Sequence, residues 1–514
     1  MSEVTVRHGG GRVLLALCVS MGVSLTVAAS FNYMLTPMLD DLGLTQDQVG
    51  VALSIPSVAA LLVVFVAGLV GERRGHRTVI SWMSVLFVVG ALLVAVTPGI
   101  VLLVLGLLLA GIAATSVQIV VFGLLSNEFR EPGSRARAFG TFGMVSPSIW
   151  LLVPVLTGAI VGVASWRWVP VVWAVGGGLM LVVARTLMPR PAQVSPVGRL
   201  RAPILAGVTV VLSVEALSLA AKTGITSLGF LISAAAAVIA AVVLVLMVRR
   251  GGQQNFSFRT LRLTRARLLL VVVIVIPLIN TVFFMTLAFQ YLYGLTVLQT
   301  ALVMVPAQAG AIAGTRLIAG PLMARIGVTR TATLMFGVLA GAMLLAFLLT
   351  PESPLWMPMA YVAVYNVLTV AASITVTSGL MATADAQNSG EVSAYRGSGV
   401  ALGGALAVVL MNEAVFTLSR LFMNQAFVDS GLDPTEAAQV SEEIQSAATS
   451  SNVMSMFSMP LPSGIPVSDV MQESIATGLH VNAVLGVLLS VVCVVLIQWS
   501  ARTERARQQA ASAA

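Results

Sequence analysis

Long apolar runs separated by short polar loops dominate this sequence. Residues 78–96, for example, carry no charged side chain and end at the turn Pro98-Gly99. A helix of about 20 apolar residues crosses the ~30 Å hydrocarbon core of a bilayer. Hydrophobic residues make up 58% of the chain and charged residues only 9%, whereas roughly a quarter of a soluble protein is charged. We therefore predict an all-α polytopic membrane protein with about fourteen transmembrane helices.

The placement of the basic residues predicts the orientation of these helices. The formal net charge is +8, and positive residues concentrate in the cytoplasmic loops of membrane proteins. If the N-terminus is cytoplasmic, the Lys and Arg residues lie on that side, with four exceptions: Arg167, Lys222, Arg420 and the intrahelical Arg316. The charge therefore indicates topology and no nucleic-acid partner. We expect a multi-pass protein of the cell (inner or plasma) membrane with both termini cytoplasmic.

The order of runs and loops predicts the domain organisation. The predicted segments are a tail at 1–12, an N-terminal six-helix half at 13–190, a linker with two inserted transmembrane helices at 191–267, a C-terminal half at 268–499 and a tail at 500–514. The C-terminal half includes an acidic outer loop, 419–473. Within this loop, Asp433 before Pro434 predicts the start of a short helix, because Asp is a favoured cap and Pro a favoured first residue.

One loop occurs twice. Residues 68–77 read Gly-Leu-Val-Gly-Glu-Arg-Arg-Gly-His-Arg, and residues 320–330 repeat the pattern in weaker form. Gly68 corresponds to Gly320, Arg73 to Arg325 and Gly75 to Gly327, all at one offset along the chain. Such self-similarity indicates an internal repeat. Two related six-helix halves are the arrangement it predicts.

The first copy resembles the signature loop of the major facilitator superfamily, Gly-x-x-x-Asp-Arg-x-Gly-Arg-Arg, with Glu72 in place of the Asp and His76 in place of the first closing base. The segment 129–168 resembles the fourteen-helix drug:proton antiporter branch, including Val153-Pro154-Val-Leu-Thr157-Gly158 before Ser-Trp-Arg-Trp. The stretch 389–399 is similar to a late helix of that branch. The resemblance implies the major facilitator fold, with two six-helix halves plus two inserted helices.

The resemblance also implies alternating access, in which the halves rock about a central site. In such proteins the signature loop locks the outward-facing state, and its acid meets the N-terminus of the penultimate helix. Glu72 would then face the start of that helix near residues 392–396, where the helix dipole favours a carboxylate. The expected gating residues are Gly68, Glu72, Arg73, Gly75, Arg77, Arg137, Pro154, Gly158, Arg325, Gly327 and Arg396.

Two departures from the branch concern coupling. The usual Asp of the first helix is absent around Ser24, and Leu107 stands where an Arg is usual. Standard proton antiport and strongly cationic substrates are therefore disfavoured. Ionisable groups within spans are costly and often functional, which makes Glu413, Glu215 and Arg316 the coupling candidates. Alternatives remain open: Glu413 as an interfacial acid, Glu215 paired with Lys222, and Arg316 as a gate or packing cation.

Uncharged polar and aromatic residues are the candidates for a substrate pocket. They are Asn32, Trp150, Asn280, Gln290, Tyr291, Tyr365 and Asn366, and for each one alone helix packing is the alternative. Such a pocket suits a small hydrophobic or amphipathic substrate. We expect a monomeric exporter, with protons as a candidate coupling ion. The alternatives are a lipid or lipid-conjugate carrier of the same fold and a non-transporting scaffold or sensor. No catalytic set, metal cluster or phosphate loop was found, so we expect no enzyme, cofactor or metal.

Overall fold

The computed structural model is helical throughout the part of the chain it describes, and no strand occurs there. The described residues are 10–43, 46–190, 200–224, 226–250, 263–279, 281–291, 293–295, 297–350, 352–384, 389–407, 421–425, 427–428, 432–448 and 467–513. An all-helical membrane fold follows from the absence of water in the hydrocarbon core, since a helix satisfies its backbone groups internally. The predicted fold class is confirmed.

The first seven helices form what we call the N-terminal bundle. Most of them consist largely of apolar residues. α5 begins at Pro132, at a position where a helix needs no amide donor. The indole of Trp173 donates to the Ser30 hydroxyl at 3.0 Å and ties α7 to α1. The helices are α1 Gly10–Leu42, α2 Gln46–Arg74, α3 His76–Ala95, α4 Ile100–Glu128, α5 Pro132–Phe142, α6 Val145–Val163 and α7 Trp168–Leu187.

Two inserted helices follow, α8 Arg201–Thr223 and α9 Leu228–Arg250. They pack on each other, and α8 also contacts α2. The approach to α2 is close, because a Cβ at Gly207 would lie 2.5 Å from the Leu62 carbonyl oxygen. The hairpin is therefore held against the outside of the N-terminal bundle.

The C-terminal bundle contains several interrupted helices. A 3₁₀ turn, Ile276–Leu278, follows α10, and a π-helical segment, Thr315–Ala319, separates α13 from α14. The elements are α10 Thr264–Val275, α11 Val282–Tyr291, α12 Val297–Val303, α13 Val305–Gly314, α14 Gly320–Ile326, α15 Val328–Met343, α16 Trp356–Met381, α17 Ser389–Leu406, α18 Pro434–Ala448 and α19 Val467–Ala513.

Ten helices in the described ranges are long and apolar enough to cross a membrane. At the start of the C-terminal half, α10 to α14 are each short, so none of them enters that count. The total of fourteen therefore stays a prediction, as do the domain boundaries. The short helix of the outer loop is present: α18 begins at Pro434, and the Asp433 carboxylate accepts from the Thr435 amide at 2.9 Å.

Candidate functional site

The two copies of the repeated loop have the same backbone turn. Gly75 joins α2 to α3 with φ 85°, and Gly327 joins α14 to α15 with φ 82°. This left-handed conformation is strained for residues with a Cβ. The structural equivalence of the two turns explains why glycine recurs at this position of the repeat.

The bundles meet where these loops lie, at a contact we call the seam. It is formed by the crossing of α2 with α17 at Gly68 and Gly390, and of α5 with α14 at Gly140 and Gly320. A Cβ at Gly68 would lie 2.4 Å from the Gly390 carbonyl oxygen, and a Cβ at Gly140 would lie 2.7 Å from the Gly320 Cα. Backbone therefore packs directly on backbone, and both crossings involve a glycine of the repeat.

Glu72 lies at the first crossing, beyond the apolar run 48–70. Its Oε1 accepts a hydrogen bond from the Glu391 amide at 3.0 Å, in the first turn of α17. Burial raises the pKa of Glu72 to about 8, although backbone donation from Glu391 and Gly390 acts in the opposite direction. A helix N-terminus stabilises a carboxylate and so lowers its pKa. Here the loss of hydration raises the pKa by more than that attraction lowers it.

Side-chain hydrogen bonds complete the seam. Asn127 Nδ2 donates to Ser389 Oγ at 2.8 Å. Ser126 Oγ donates to the Met381 carbonyl at 3.1 Å, and Ser393 Oγ donates to the Ile119 carbonyl at 2.7 Å. Because these bonds join neutral groups, each contributes only about 0.5–1.5 kcal/mol net to the stability of the contact. The seam is thus a closely fitted contact in which these three side-chain hydrogen bonds are neutral.

Two arginines near the seam bind helix C-termini. Arg77 donates to the carbonyls of Arg185 at 2.6 Å and Met188 at 3.3 Å, at the end of α7. Arg135 donates to the carbonyls of Phe129 at 3.0 Å and Ser126 at 3.2 Å, at the end of α4. Cations stabilise helix C-termini, so these contacts hold the loops within the N-terminal bundle.

The other predicted gating cations differ in exposure. Arg137 on α5 and Arg325 on α14 are exposed. Arg73 lies in the last turn of α2. Its positive charge acts to lower the pKa of Glu72. Arg396 is half-buried on α17: its guanidinium carbon lies 3.9 Å from the centroid of the Phe122 ring, and its Nε donates to Thr377 Oγ1 at 3.2 Å.

Pro154 and Gly158 lie on α6, away from the close crossings. Pro154 lies inside α6, which continues as one helix through it, and α6 packs against both α1 and α13. A Cβ at Gly158 would meet nothing within 4 Å. Gly158 therefore does not pack closely on a neighbouring helix, whereas Gly140 and Gly143, which precede it in the chain, both lie against the other bundle.

The coupling candidates have different surroundings. Arg316 lies in the π-helical segment and is exposed, and its Nη1 donates to Thr141 Oγ1 of the N-terminal bundle at 3.2 Å. Glu215 is exposed on α8. Glu413 lies outside the described residues, and so does the side chain of Lys222.

Two of the pocket candidates are engaged in helix packing. Tyr365 donates to the Ile279 carbonyl and accepts from the Thr281 amide at 3.2 Å. Asn366 Nδ2 donates to the Ala307 carbonyl at 3.1 Å. These bonds join α16 to the interrupted helices beside it. Of the remaining candidates, Trp150 is exposed by 43%; Asn280 and the side chains of Asn32, Gln290 and Tyr291 lie outside what the structure describes.

A cavity of about 450 Å³, which is widely open on one side, lies between α1, α5 and α6. Its polar lining residues include Thr26, Thr141 and Ser148, and the rest is largely apolar. The Thr26 hydroxyl donates to the Val23 carbonyl at 2.7 Å, and the Ser148 hydroxyl donates to the Met144 carbonyl at 2.8 Å. Because these hydroxyls bond to their own helices, the cavity presents mainly hydrocarbon. Neither Trp150, Tyr365 nor Asn366 is among its lining residues.

At another site, a cluster joins three helices within the N-terminal bundle. Asp41 Oδ2 accepts from Trp166 Nε1 at 3.1 Å and from Arg167 Nη2 at 2.9 Å. Arg167 also donates to the Ala95 and Thr97 carbonyls at 3.1 and 2.7 Å, at the end of α3. This bonding accounts for Arg167 as an exception to the charge asymmetry.

Several seam residues were not singled out in the sequence. Gly140 and Gly390 are glycines among 45, and only their positions opposite Gly320 and Gly68 distinguish them. Asn127 and Ser389 are ordinary polar residues at helix ends. Gly140 lies in the segment 129–168, and Ser389 and Gly390 lie in 389–399; both segments carried the family resemblance. Asn127 lies just before the first of them.

Comparison with known proteins agrees with this architecture. A family model described as Major Facilitator Superfamily matches residues 13–408. The human organic anion transporter MFSD10 has a similar fold, with a TM-score of 0.60 and 12% sequence identity, over 93% of this chain and 99% of that one. At this identity the likeness concerns the fold alone.

Similarity to curated relatives is partial. The Multidrug resistance protein B homolog of Mycobacterium tuberculosis is 27% identical over 185 residues, which are 36% of this chain and 33% of that protein. An uncharacterized MFS-type transporter of the same organism is 31% identical over 176 residues, 32% of this chain and 25% of that protein. The chain thus spans a third or less of the length of the curated relatives it matches.

Proposed function

The chain belongs to the Major Facilitator Superfamily, and from that premise we propose that it exports a hydrophobic or amphipathic compound across the cell membrane by alternating access. The observation that carries this proposal is the seam. Two bundles that had to separate and close again would need a contact that fits closely but costs little to open. Backbone-on-backbone glycine crossings and a few neutral hydrogen bonds meet that requirement.

We infer the state of the transport cycle from the orientation of the seam. With both termini cytoplasmic, the Gly75 and Gly327 loops face the cytoplasm, and the seam closes that side. The structure then corresponds to the state that releases substrate outward. Opening the seam would admit substrate from the cytoplasm or the inner leaflet. Similarity over part of the chain to a protein named for multidrug resistance supports this direction.

The substrate class follows from the cavity. Its volume of about 450 Å³ lies within the ~300–1,000 Å³ usual for small-molecule sites. Hydroxyl groups bonded to their own helices leave a surface that a hydrocarbon can cover without loss of hydrogen bonds. A compound with a substantial apolar part is therefore the ligand that this cavity fits best.

A cross-link across the seam tests alternating access. Asn127→Cys with Ser389→Cys, in a chain with Cys18→Ser and Cys493→Ala, replaces a side-chain contact of 2.8 Å with a potential disulfide. Oxidation should stop efflux from proteoliposomes, and a reductant should restore it, because the bundles could then separate again.

The matched controls are the two single-cysteine proteins, which should be unaffected by oxidant. Undiminished efflux by fully cross-linked protein would refute the proposal. A lipid carrier would be indicated if the reduced protein moved labelled phospholipid between leaflets and left drug-like amphiphiles in place.

A further inference from the structure

We propose that the cavity between α1 and α6 is an anion-selective site, in which Arg316 binds the acidic group of an amphipathic substrate whose apolar part occupies the cavity. This rests on the proposed function and specifies its substrate class. The geometry behind it is one shared residue. Thr141 lines the cavity and also accepts the hydrogen bond from Arg316 Nη1 at 3.2 Å. The guanidinium therefore lies at the edge of the cavity.

Arg316 has N–H donors that its contact with Thr141 does not use. A guanidinium carries five N–H donors in a fixed fork, and one of them is used on Thr141. Within the described ranges the ion pairs are Arg167 with Asp41 and Arg265 with Glu504, so no described carboxylate neutralises Arg316. A planar fork of this kind matches a carboxylate or phosphate in bidentate geometry.

The backbone around Arg316 differs from the rest of its helix. Thr315–Ala319 forms a π-helical segment between α13 and α14. Such segments are uncommon and occur frequently at functional sites. The Thr315 hydroxyl bonds to the Ala311 and Ile312 carbonyls at 3.2 and 3.0 Å. The segment is thus stabilised locally in a form that places Arg316 against the opposite bundle.

A second cation adds to the positive potential between the bundles. Arg396 on α17 stacks on Phe122 of the N-terminal bundle and donates to Thr377. Among the described residues no carboxylate lies within ion-pair distance of it, since the two described pairs involve other arginines. An unneutralised cation in a poorly solvated region attracts anions and repels cations. Both arginines therefore favour a negatively charged ligand.

Three ligands that share one apolar body would test the assignment: 4-(1-pyrenyl)butyrate, the corresponding butyramide and 4-(1-pyrenyl)butylamine. Binding to the purified full-length protein is measured by fluorescence anisotropy. Because hydrogen bonds to charged groups contribute about 1.5–3 kcal/mol, the carboxylate should bind roughly tenfold or more tightly than the amide. The amine should bind most weakly.

The variants separate charge from fold. Arg316→Gln should lower carboxylate affinity about tenfold and leave amide affinity unchanged. Arg316→Lys should keep part of the preference, because the charge remains and the fork is lost. Arg502→Gln removes an exposed cation of α19 and should change nothing. Amide binding by Arg316→Gln at the wild-type level shows that this variant is folded.

Contrary outcomes are distinguishable. Equal affinity for the three ligands, preference for the amine, or an undiminished carboxylate preference in Arg316→Gln would overturn the anion site. Efflux of the amide or amine but not of the acid would leave transport standing and reject the head-group assignment. Selective binding of the acid with no efflux of any ligand would support the site and reject the proposed transport.

Discussion

At the scale of single residues, Glu72 combines two opposing effects. Its carboxyl accepts an amide hydrogen bond at the start of α17, which favours the charged form, and it is buried in the seam, which favours the neutral form. Burial prevails, so the pKa of Glu72 rises from 4.5 to about 8. The negative charge of the Glu391 side chain adds to this rise of the pKa, and the positive charge of Arg73 opposes it. We therefore expect closure of the seam to be linked to uptake of a proton by Glu72.

The linkage predicts a pH dependence with a definite sign. The closed state holds its proton up to about pH 8, whereas a hydrated Glu72 in the open state would titrate near 4.5. The closed state therefore binds more protons in between and is favoured at low pH. Spin labels at Glu131→Cys and Ala324→Cys, without the native cysteines, should report a growing open population as pH rises through this window.

Glu72→Gln is the matched control for this effect. The amide keeps the shape of the protonated carboxyl and carries no charge at any pH. Its label distance should remain that of the closed state across the whole window. An unchanged pH response in Glu72→Gln would assign the titration to another group.

At the scale of helices, the consecutive helices α5 and α6 differ in how closely their glycines pack on neighbouring elements. Gly140 in α5 packs on Gly320, whereas Gly158 in α6 has no neighbour near its missing Cβ. The resemblance drew attention to the second glycine because it belongs to a motif. Contact with the other bundle depends on the first. The packing role of a glycine therefore depends on which helix lies opposite it, and a motif in the sequence does not specify that helix.

We expect Gly140→Ala to impair transport and Gly158→Ala to leave it nearly unchanged. A methyl group at Gly140 would meet backbone at 2.7 Å, which cannot yield as a flexible side chain can. Overpacking costs about 1–3 kcal/mol, enough to shift the closed-to-open ratio by roughly 5- to 150-fold. The efflux rates of the two variants measure this difference, and their thermal stabilities are compared as a control.

The two variants are matched, since each adds one methyl group to a glycine, one in α5 and one in the next helix, α6. Stability should be similar, because the clash is relieved by opening the seam. Loss of efflux in Gly158→Ala with normal efflux in Gly140→Ala would restore the sequence-based expectation and remove the seam from the mechanism.

At the scale of the whole molecule, the seam, the cavity and the inserted hairpin form one arrangement. The seam closes one end between the bundles, the cavity lies within the N-terminal bundle beside it, and the α8–α9 hairpin packs on α2. Since α2 also carries Gly68, the hairpin lies behind a helix that would have to move. α8 also contacts α17, so the hairpin lies against both helices of the first crossing.

Orientation in the membrane is testable with reporter fusions. A reporter after Gly224, at the tip of the hairpin, and one within α18 should both be outside the cell; one after Arg505 should be inside. The reason is the asymmetry of Lys and Arg between the two sides. A phosphatase reporter is active outside and a fluorescent protein inside, so paired fusions give opposite signals. A cytoplasmic signal from α18 would contradict the fourteen-helix topology.

The sequence alone was sufficient for the fold class and for the repeat. Apolar runs of membrane-spanning length permit few structures other than helices, and the shared spacing of Gly68, Gly75, Gly320 and Gly327 indicated two related halves. Both inferences rest on local or periodic features, which are present in the order of residues. The start of α18 at Pro434 was predictable for the same reason.

Only the tertiary structure decided which residues meet. Gly390, Gly140 and Asn127 became seam residues because of what lies opposite them, and no local pattern encodes a partner hundreds of residues away. Tyr365, a pocket candidate by residue type, proved to be bonded to the backbone of the neighbouring helix segments. Arg316, a coupling candidate by its position in a helix, proved to contact Thr141 across the two bundles. Packing between distant segments sets these pairings, since burial and hydrogen bonding depend on the assembled surface.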